Sequence, residues 1–181
     1  MRWLIIIALV VLAVLVVTII PRDPAVPIEV HDHADFLVVI DNVPFNFSQP
    51  QFMSDENHSL NPVMHVHGGI GWVMHKHAAG VALNAFFRSV NMSVNNACLV
   101  IDGVQQCGGV RLFVNGREVK QVEDYVFADL DHMLILVGPS DPAQWLGKVS
   151  DDACIYSGTC PERGVAPDEV GCGSTCFFVP S

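Results

Sequence analysis

The chain has 181 residues with 19 acidic and 9 basic side chains, a formal net charge of -10. That balance excludes nucleic acid as a natural partner, because phosphate binding needs clustered Lys and Arg and none cluster here. Mean hydropathy is +0.40, but the first twenty residues inflate it, so it does not argue for a polytopic membrane protein.

Trp3 to Ile20 is an uncharged run of 18 residues in which only Thr18 is polar. At a helical rise of about 1.5 Å per residue it crosses most of a hydrocarbon core about 30 Å thick. A cleavable signal peptide has a shorter apolar core and small residues before the cut, whereas this run ends Thr18-Ile19-Ile20-Pro21. Residues 1–20 therefore read as an uncleaved transmembrane anchor, with the lipid bilayer as partner. Arg2 and Arg22 flank the run and barely bias its orientation. All six cysteines lie beyond it, an even number in short local spacings, which suits an oxidising compartment. The expected location is the cell membrane, single-pass, with the C-terminal body extracytoplasmic. Asn46, Asn57 and Asn91 each begin an Asn-x-Ser triplet, which permits glycosylation and shows no more.

Pro21, Pro24 and Pro27 make 21–30 a stiff, Pro-rich spacer. Asp35 to Ile40 reads as a strand, Asp41-Asn42 as a turn and Val43 to Phe47 as the return strand. Ser48 to Pro62 lacks periodicity and reads as a loop. Val63 to His67 and Trp72 to His77 flank Gly68-Gly69-Ile70-Gly71, a second hairpin. Val81 to Val90 has helical spacing of apolar residues, predicting one helix whose stripe covers a sheet. A short hairpin turns at Asp102-Gly103 between Cys98 and Cys107, and another turns at Asn115-Gly116 after Val110 to Val114. Met133 to Val137 is a buried strand. Residues 31–140 thus read as one His-rich domain and 141–181 as a Cys-containing, loop-rich extension.

Six of the eight histidines fall in three His-x-His pairs: His31 with His33, His65 with His67, and His75 with His77. Alternate residues of a strand share a face, so each pair sets two imidazoles side by side. A register placing His65 opposite His75, His67 opposite Val73 and His77 opposite Val63 puts four histidines on one face. Met64, Val66, Trp72 and Met74 then form an apolar opposite face, whereas a one-residue slip mixes polar and apolar residues on both. The first pair alternates likewise, so that Glu29, His31, His33 and Asp35 line one side. Six imidazoles and a carboxylate exceed what one tetrahedral zinc needs, so either some of them support the ligands from outside or two ions bind, and Asp35 and Glu29 are the expected supporting residues. Imidazole suits copper and zinc alike, and no cysteine adjoins the pairs to narrow the choice. Met64 and Met74 read as packing residues, and His58 and His132 as solvated ones. No Ser, Cys or Asp nucleophile is tied to the cluster by motif.

Cys98 and Cys107 flank a tight hairpin and read as a structural cross-strand bridge. Cys154 with Cys160 and Cys172 with Cys176 are the simplest remaining pairings, although spacing alone does not choose among connectivities. A Cys-x-x-Cys redox motif is absent from the sequence.

His31-Asp-His-Ala-Asp-Phe36, His65-Val-His67, the stretch from His75 through Gly80 into Phe86-Phe87, and Phe113-Val-Asn-Gly116 together resemble a family of membrane-anchored archaeal and bacterial extracytoplasmic proteins of unsettled role. Asp129 to Gly138 and Ala153 to Gly164 extend the likeness, which covers roughly residues 31 to 164. Some relatives carry automatic labels such as disulfide isomerase, which the cysteine spacing here does not support. An arginine is usual in that group where this chain has His132. Val110 to Val137 also resembles the closing half of a ubiquitin-like β-grasp. The expected fold is therefore α+β, a β-grasp-like domain of hairpins and one helix, with a small β-sandwich carrying one helix as the alternative.

The expected function is that of an extracytoplasmic, membrane-anchored copper- or zinc-binding protein, with His31, His33, His65, His67, His75 and His77 as ligands. A metalloenzyme with a His-ligated ion and a structural subunit of a cell-surface assembly are the alternatives. A membrane-protein partner is left open.

Overall fold

The computed structural model describes Trp3 and residues 28–55 and 60–166. The expected anchor apart from Trp3, the spacer before residue 28, His58, Asn57, and Cys172 with Cys176 lie outside the described residues. Among the described residues no helix is long and apolar enough to cross a membrane.

The body is α+β. A long strand β1 (Glu29–Ile40) lies at its centre, followed by β2 (Val43–Pro44), the hairpin β3 (Met64–His67) and β4 (Ile70–Ala78), and helix α1 (Leu83–Ser89). Then come β5 (Met92–Val94), β6 (Cys98–Ile101), β7 (Val104–Cys107), β8 (Val110–Val114), β9 (Arg117–Val119) and β10 (His132–Val137). The C-terminal segment carries two short helices, α2 (Pro142–Trp145) and α3 (Ala153–Tyr156). The main sheet runs β3-β4-β1-β10-β8-β9, with β2 also on β1; β5, β6 and β7 form a second, three-stranded sheet. β1 and β10 pair in parallel, Asp35 opposite His132 through Ile40 opposite Val137, and the other pairings are antiparallel.

Two boundaries differ from the sequence expectation, both because β4 lies along the first half of β1. β1 begins at Glu29 rather than Asp35 because β4 pairs along its first half, setting Asp32 opposite Lys76 and His33 opposite His75. The return strand β2 shrinks to Val43–Pro44, since β4 occupies the same edge of β1 up to Asp35 and leaves room only for this short pairing, with the Phe45 N–H donating to the Val38 carbonyl at 2.8 Å. Gly71 lets the two approach: a Cβ there would collide with the backbone of Phe47 and Ser48.

Alternation along the strands gives the main sheet two different faces. Ala34, Phe36 and Val38 of β1, Met64 and Val66 of β3, Met74 of β4, and Met133 and Ile135 of β10 join Phe86 and Phe87 of α1 in the larger core. Met92, Val94 and Leu99 of the second sheet complete it. The other face carries a smaller cluster of Val39, Phe113, Leu134 and Leu136, capped by Trp145 of α2. At the β3-β4-β1 end this second face changes from apolar to histidine. Trp72 was expected among the core residues of β4, but it is 38% exposed and its indole N–H donates to Asp152. Two disulfides stand among the described residues, Cys98–Cys107 across the β6-β7 hairpin and Cys154–Cys160 around α3.

Candidate functional site: a six-imidazole face

Each of three adjacent strands delivers one His-x-His pair to the same face of the sheet, His31 and His33 from β1, His75 and His77 from β4, His65 and His67 from β3. The expected hairpin register is present where it matters: His65 lies opposite His75, and His33 lies opposite His75 from the other side. The pairing of His67 with Val73 does not form. The register shifts after His65, and His67 lies opposite Ile70. Gly68 and Gly69 turn the chain at φ 64 and 77, so the hairpin closes tightly after His67 instead of extending to a four-residue loop. The shift does not remove His67 from the face, since its ring is 4.1 Å from that of His75.

The six rings form a closed chain of contacts. Centroid distances run 4.8 Å from His31 to His33, 4.7 Å to His75, 4.1 Å to His67, 5.6 Å to His65, 5.1 Å to His77 and 4.8 Å back to His31. His75 sits deepest, with no solvent exposure, and His33, His65 and His67 are also buried. His77 is half-buried and His31 exposed, so the cluster grades from closed to open. Burial, reinforced by the imidazoles of His67, His33, His65 and His77, holds His75 well below the ordinary histidine range. It is therefore a neutral imidazole at neutral pH, the form that binds transition metals.

Two of the histidines have their tautomer set by neighbours. Nδ1 of His65 lies 2.9 Å from the carbonyl oxygen of Asn61, which can only accept, so Nδ1 carries the proton and Nε2 the lone pair. Nδ1 of His33 lies 2.9 Å from Oγ of Ser157, whose hydroxyl donates to Asp129 at 2.6 Å. The Ser157 proton being committed to Asp129, its oxygen accepts from His33, and again Nε2 holds the lone pair. Outer partners of this kind orient ligand imidazoles and raise their basicity.

The C-terminal segment is strapped across this face by Asp35. The Asp35 carboxylate, two residues beyond His33 on the same side and 1% exposed, accepts from Ser150 Oγ at 2.6 Å and from the backbone N–H groups of Asp152 at 2.9 Å and Ala153 at 3.0 Å. Two of these donors open α3, where a carboxylate meets otherwise unsatisfied amides. α3 then lays Tyr156 against His33 and His75, with ring centroids 5.7 and 5.0 Å away. Burial, with Asp152 nearby, pushes the Tyr156 phenol up, so it stays protonated. Asp35, expected as a residue supporting the ligands, thus holds the strap. Glu29, the other, is exposed at the start of β1 opposite Ala78.

A second group has metal-binding composition. Asp35, His132 and Asp151 each bring one ligand atom within 4.8 Å of the others, a set able to hold a metal ion of unspecified kind. His132, expected to be solvated, is half-buried with Nε2 3.5 Å from Asp151. Asp151 is also paired with Arg163 at 3.1 Å. Comparison with family models, curated proteins and solved structures returned no match for this chain.

Sequence reasoning missed Ser157, Asp129 and Tyr156. Ser157 and His33 are 124 residues apart, and no local pattern announces such a contact. The available signals were the runs Asp129 to Gly138 and Ala153 to Gly164, singled out by resemblance without a role.

Proposed function

We propose that this protein binds a transition metal, copper or zinc, on the histidine face of an extracytoplasmic domain tethered to the membrane by its N-terminal run. The observation that carries the reading is the closed chain of six imidazole contacts, 4.1 to 5.6 Å between centroids, built from three strands. Supporting it, His33 and His65 have their Nδ1 protons engaged by Ser157 and Asn61, and His75 is kept neutral by burial. Two local disulfides fit an oxidising compartment. The domain reads as β-grasp-like: its first and last main-sheet strands are central, adjacent and parallel, a helix follows the early hairpins, and β8-β9 precedes β10.

His33, His67, His75, His31, His65 and His77 would hold the metal through imidazole nitrogen, and binding at such a surface suits capture or transfer of an ion. The Asp35 group ranks second, because its central carboxylate already serves three donors that fix the strap. Metal content of the full chain purified in detergent tests the reading. Stoichiometric copper or zinc is expected, with loss of the metal when His65→Ala and His75→Ala are combined. A chain free of both metals, with melting unchanged on adding either, would refute it.

A further inference from the structure

We propose that the histidine face is a two-ion site, built as an inner row of His33, His67 and His75 and an outer row of His31, His65 and His77. This rests on the metal-binding reading above and specifies its stoichiometry and layout.

Each row takes one imidazole from each of the three strands. Within the inner row the consecutive ring distances are 4.1 and 4.7 Å, the former the shortest in the cluster. Within the outer row they are 5.1 and 4.8 Å. Contacts between the rows run from 4.8 to 5.9 Å. A tetrahedral ion bound by protein uses three or four ligands, so one ion leaves two or three of these imidazoles unused, whereas two rows of three use all six. The rows also share an internal plan. One histidine in each has its Nδ1 proton engaged by an oxygen, His33 by Ser157 in the inner row and His65 by Asn61 in the outer, which sets Nε2 as its lone-pair nitrogen.

The rows differ in access. All three inner histidines are buried, and Tyr156 lies against two of them. The outer row ends in the exposed His31. Three imidazoles leave a coordination position for an exchangeable fourth ligand. The outer ion is therefore the exchangeable one, entering or leaving past His31, and the inner ion is retained under the strap.

Titrating the metal-depleted full chain in detergent with zinc alone, then with copper alone, and counting bound ions by elemental analysis after gel filtration, tests this. The expected count for at least one of the two metals is two per chain, with one ion lost to a chelator at least ten times faster than the other. His31→Ala with His77→Ala should retain one, slowly lost ion; His33→Ala with His67→Ala should retain one that is lost quickly. One ion per wild-type chain, or no ion in the outer-row variant while it still melts cooperatively, overturns the two-row layout and leaves the metal-binding reading standing. A wild-type chain that binds neither metal removes both. Should a variant fail to fold, the wild-type count and its two release rates decide alone.

Discussion

Two groups of metal-capable side chains share one face of the main sheet, and they are built on opposite principles. In the Asp35, His132 and Asp151 group the deepest member is spent on structure, its carboxylate oxygens receiving Ser150 Oγ and the Asp152 and Ala153 amides. In the imidazole cluster the contacts do the reverse. Asn61 and Ser157 occupy the Nδ1 protons of His65 and His33 and thereby set Nε2 as the lone-pair nitrogen. On the proposed reading, what the neighbouring hydrogen bonds leave each ligand able to do weighs more than the proximity of ligand atoms alone.

The largest effect that would test this contrast is on folding. Asp35→Ala strands a hydroxyl and two backbone amides at the start of α3, and should lower the unfolding free energy by about 3 kcal/mol, measured by urea denaturation of the metal-free chain. Metal stoichiometry should survive under native conditions. If it is lost while the strap remains docked, Asp35 belongs to the metal centre and the two groups are not distinct.

The contrast also explains how far the sequence could be read. Alternation exposes a face, so the histidine pairs, the His65–His75 register and the packing roles of Met64 and Met74 were legible from period alone. The Cys98–Cys107 bridge was legible because both residues flank a two-residue turn, Asp102-Gly103, at left-handed φ of 49 and 78. Trp72 was not, because the strap it bonds arrives from Asp152, 80 residues later. Nor was the role of Asp35, since alternation assigns a carboxylate to a face and says nothing of the amides that will reach it. Contacts made by chain returning from far away are fixed by tertiary packing, and the C-terminal segment has too few apolar residues in any period to announce where it docks.

A smaller effect is expected at Ser157. Ser157→Ala removes the oxygen that holds the His33 Nδ1 proton, and metal affinity should fall about tenfold with the fold intact, read by competition with a chromophoric chelator. Unchanged affinity would reduce Ser157 to a strap contact.

Acidification acts on the metal-free chain through His75. Its folded form gives up the proton more readily than the unfolded form, whose histidine has the ordinary value of 6.5. Above that pH both states are neutral there and stability does not depend on this group. As pH falls below it the unfolded state binds the proton first, so stability declines with each step downward until the folded form protonates as well. Urea midpoints of the metal-free wild type should therefore drop between about pH 6.5 and pH 5, and a His75→Gln chain should show a shallower drop. Equal slopes would mean that burial at this position is relieved in solution.

The smallest expected effect is none. His132→Ala combined with Asp151→Ala removes two of the three members of the carboxylate group while leaving all six clustered imidazoles, and metal content should not change.

X-ray absorption at the metal edge of the loaded full chain reads out which side chains hold the ion. An imidazole-built centre gives a first shell of nitrogen at about 2.0 Å, with the outer-shell scattering of at least three imidazole rings per ion and no sulfur. A shell dominated by carboxylate oxygen, with one imidazole or none, would place the ion at the Asp35 group and leave the six imidazoles without a metal role.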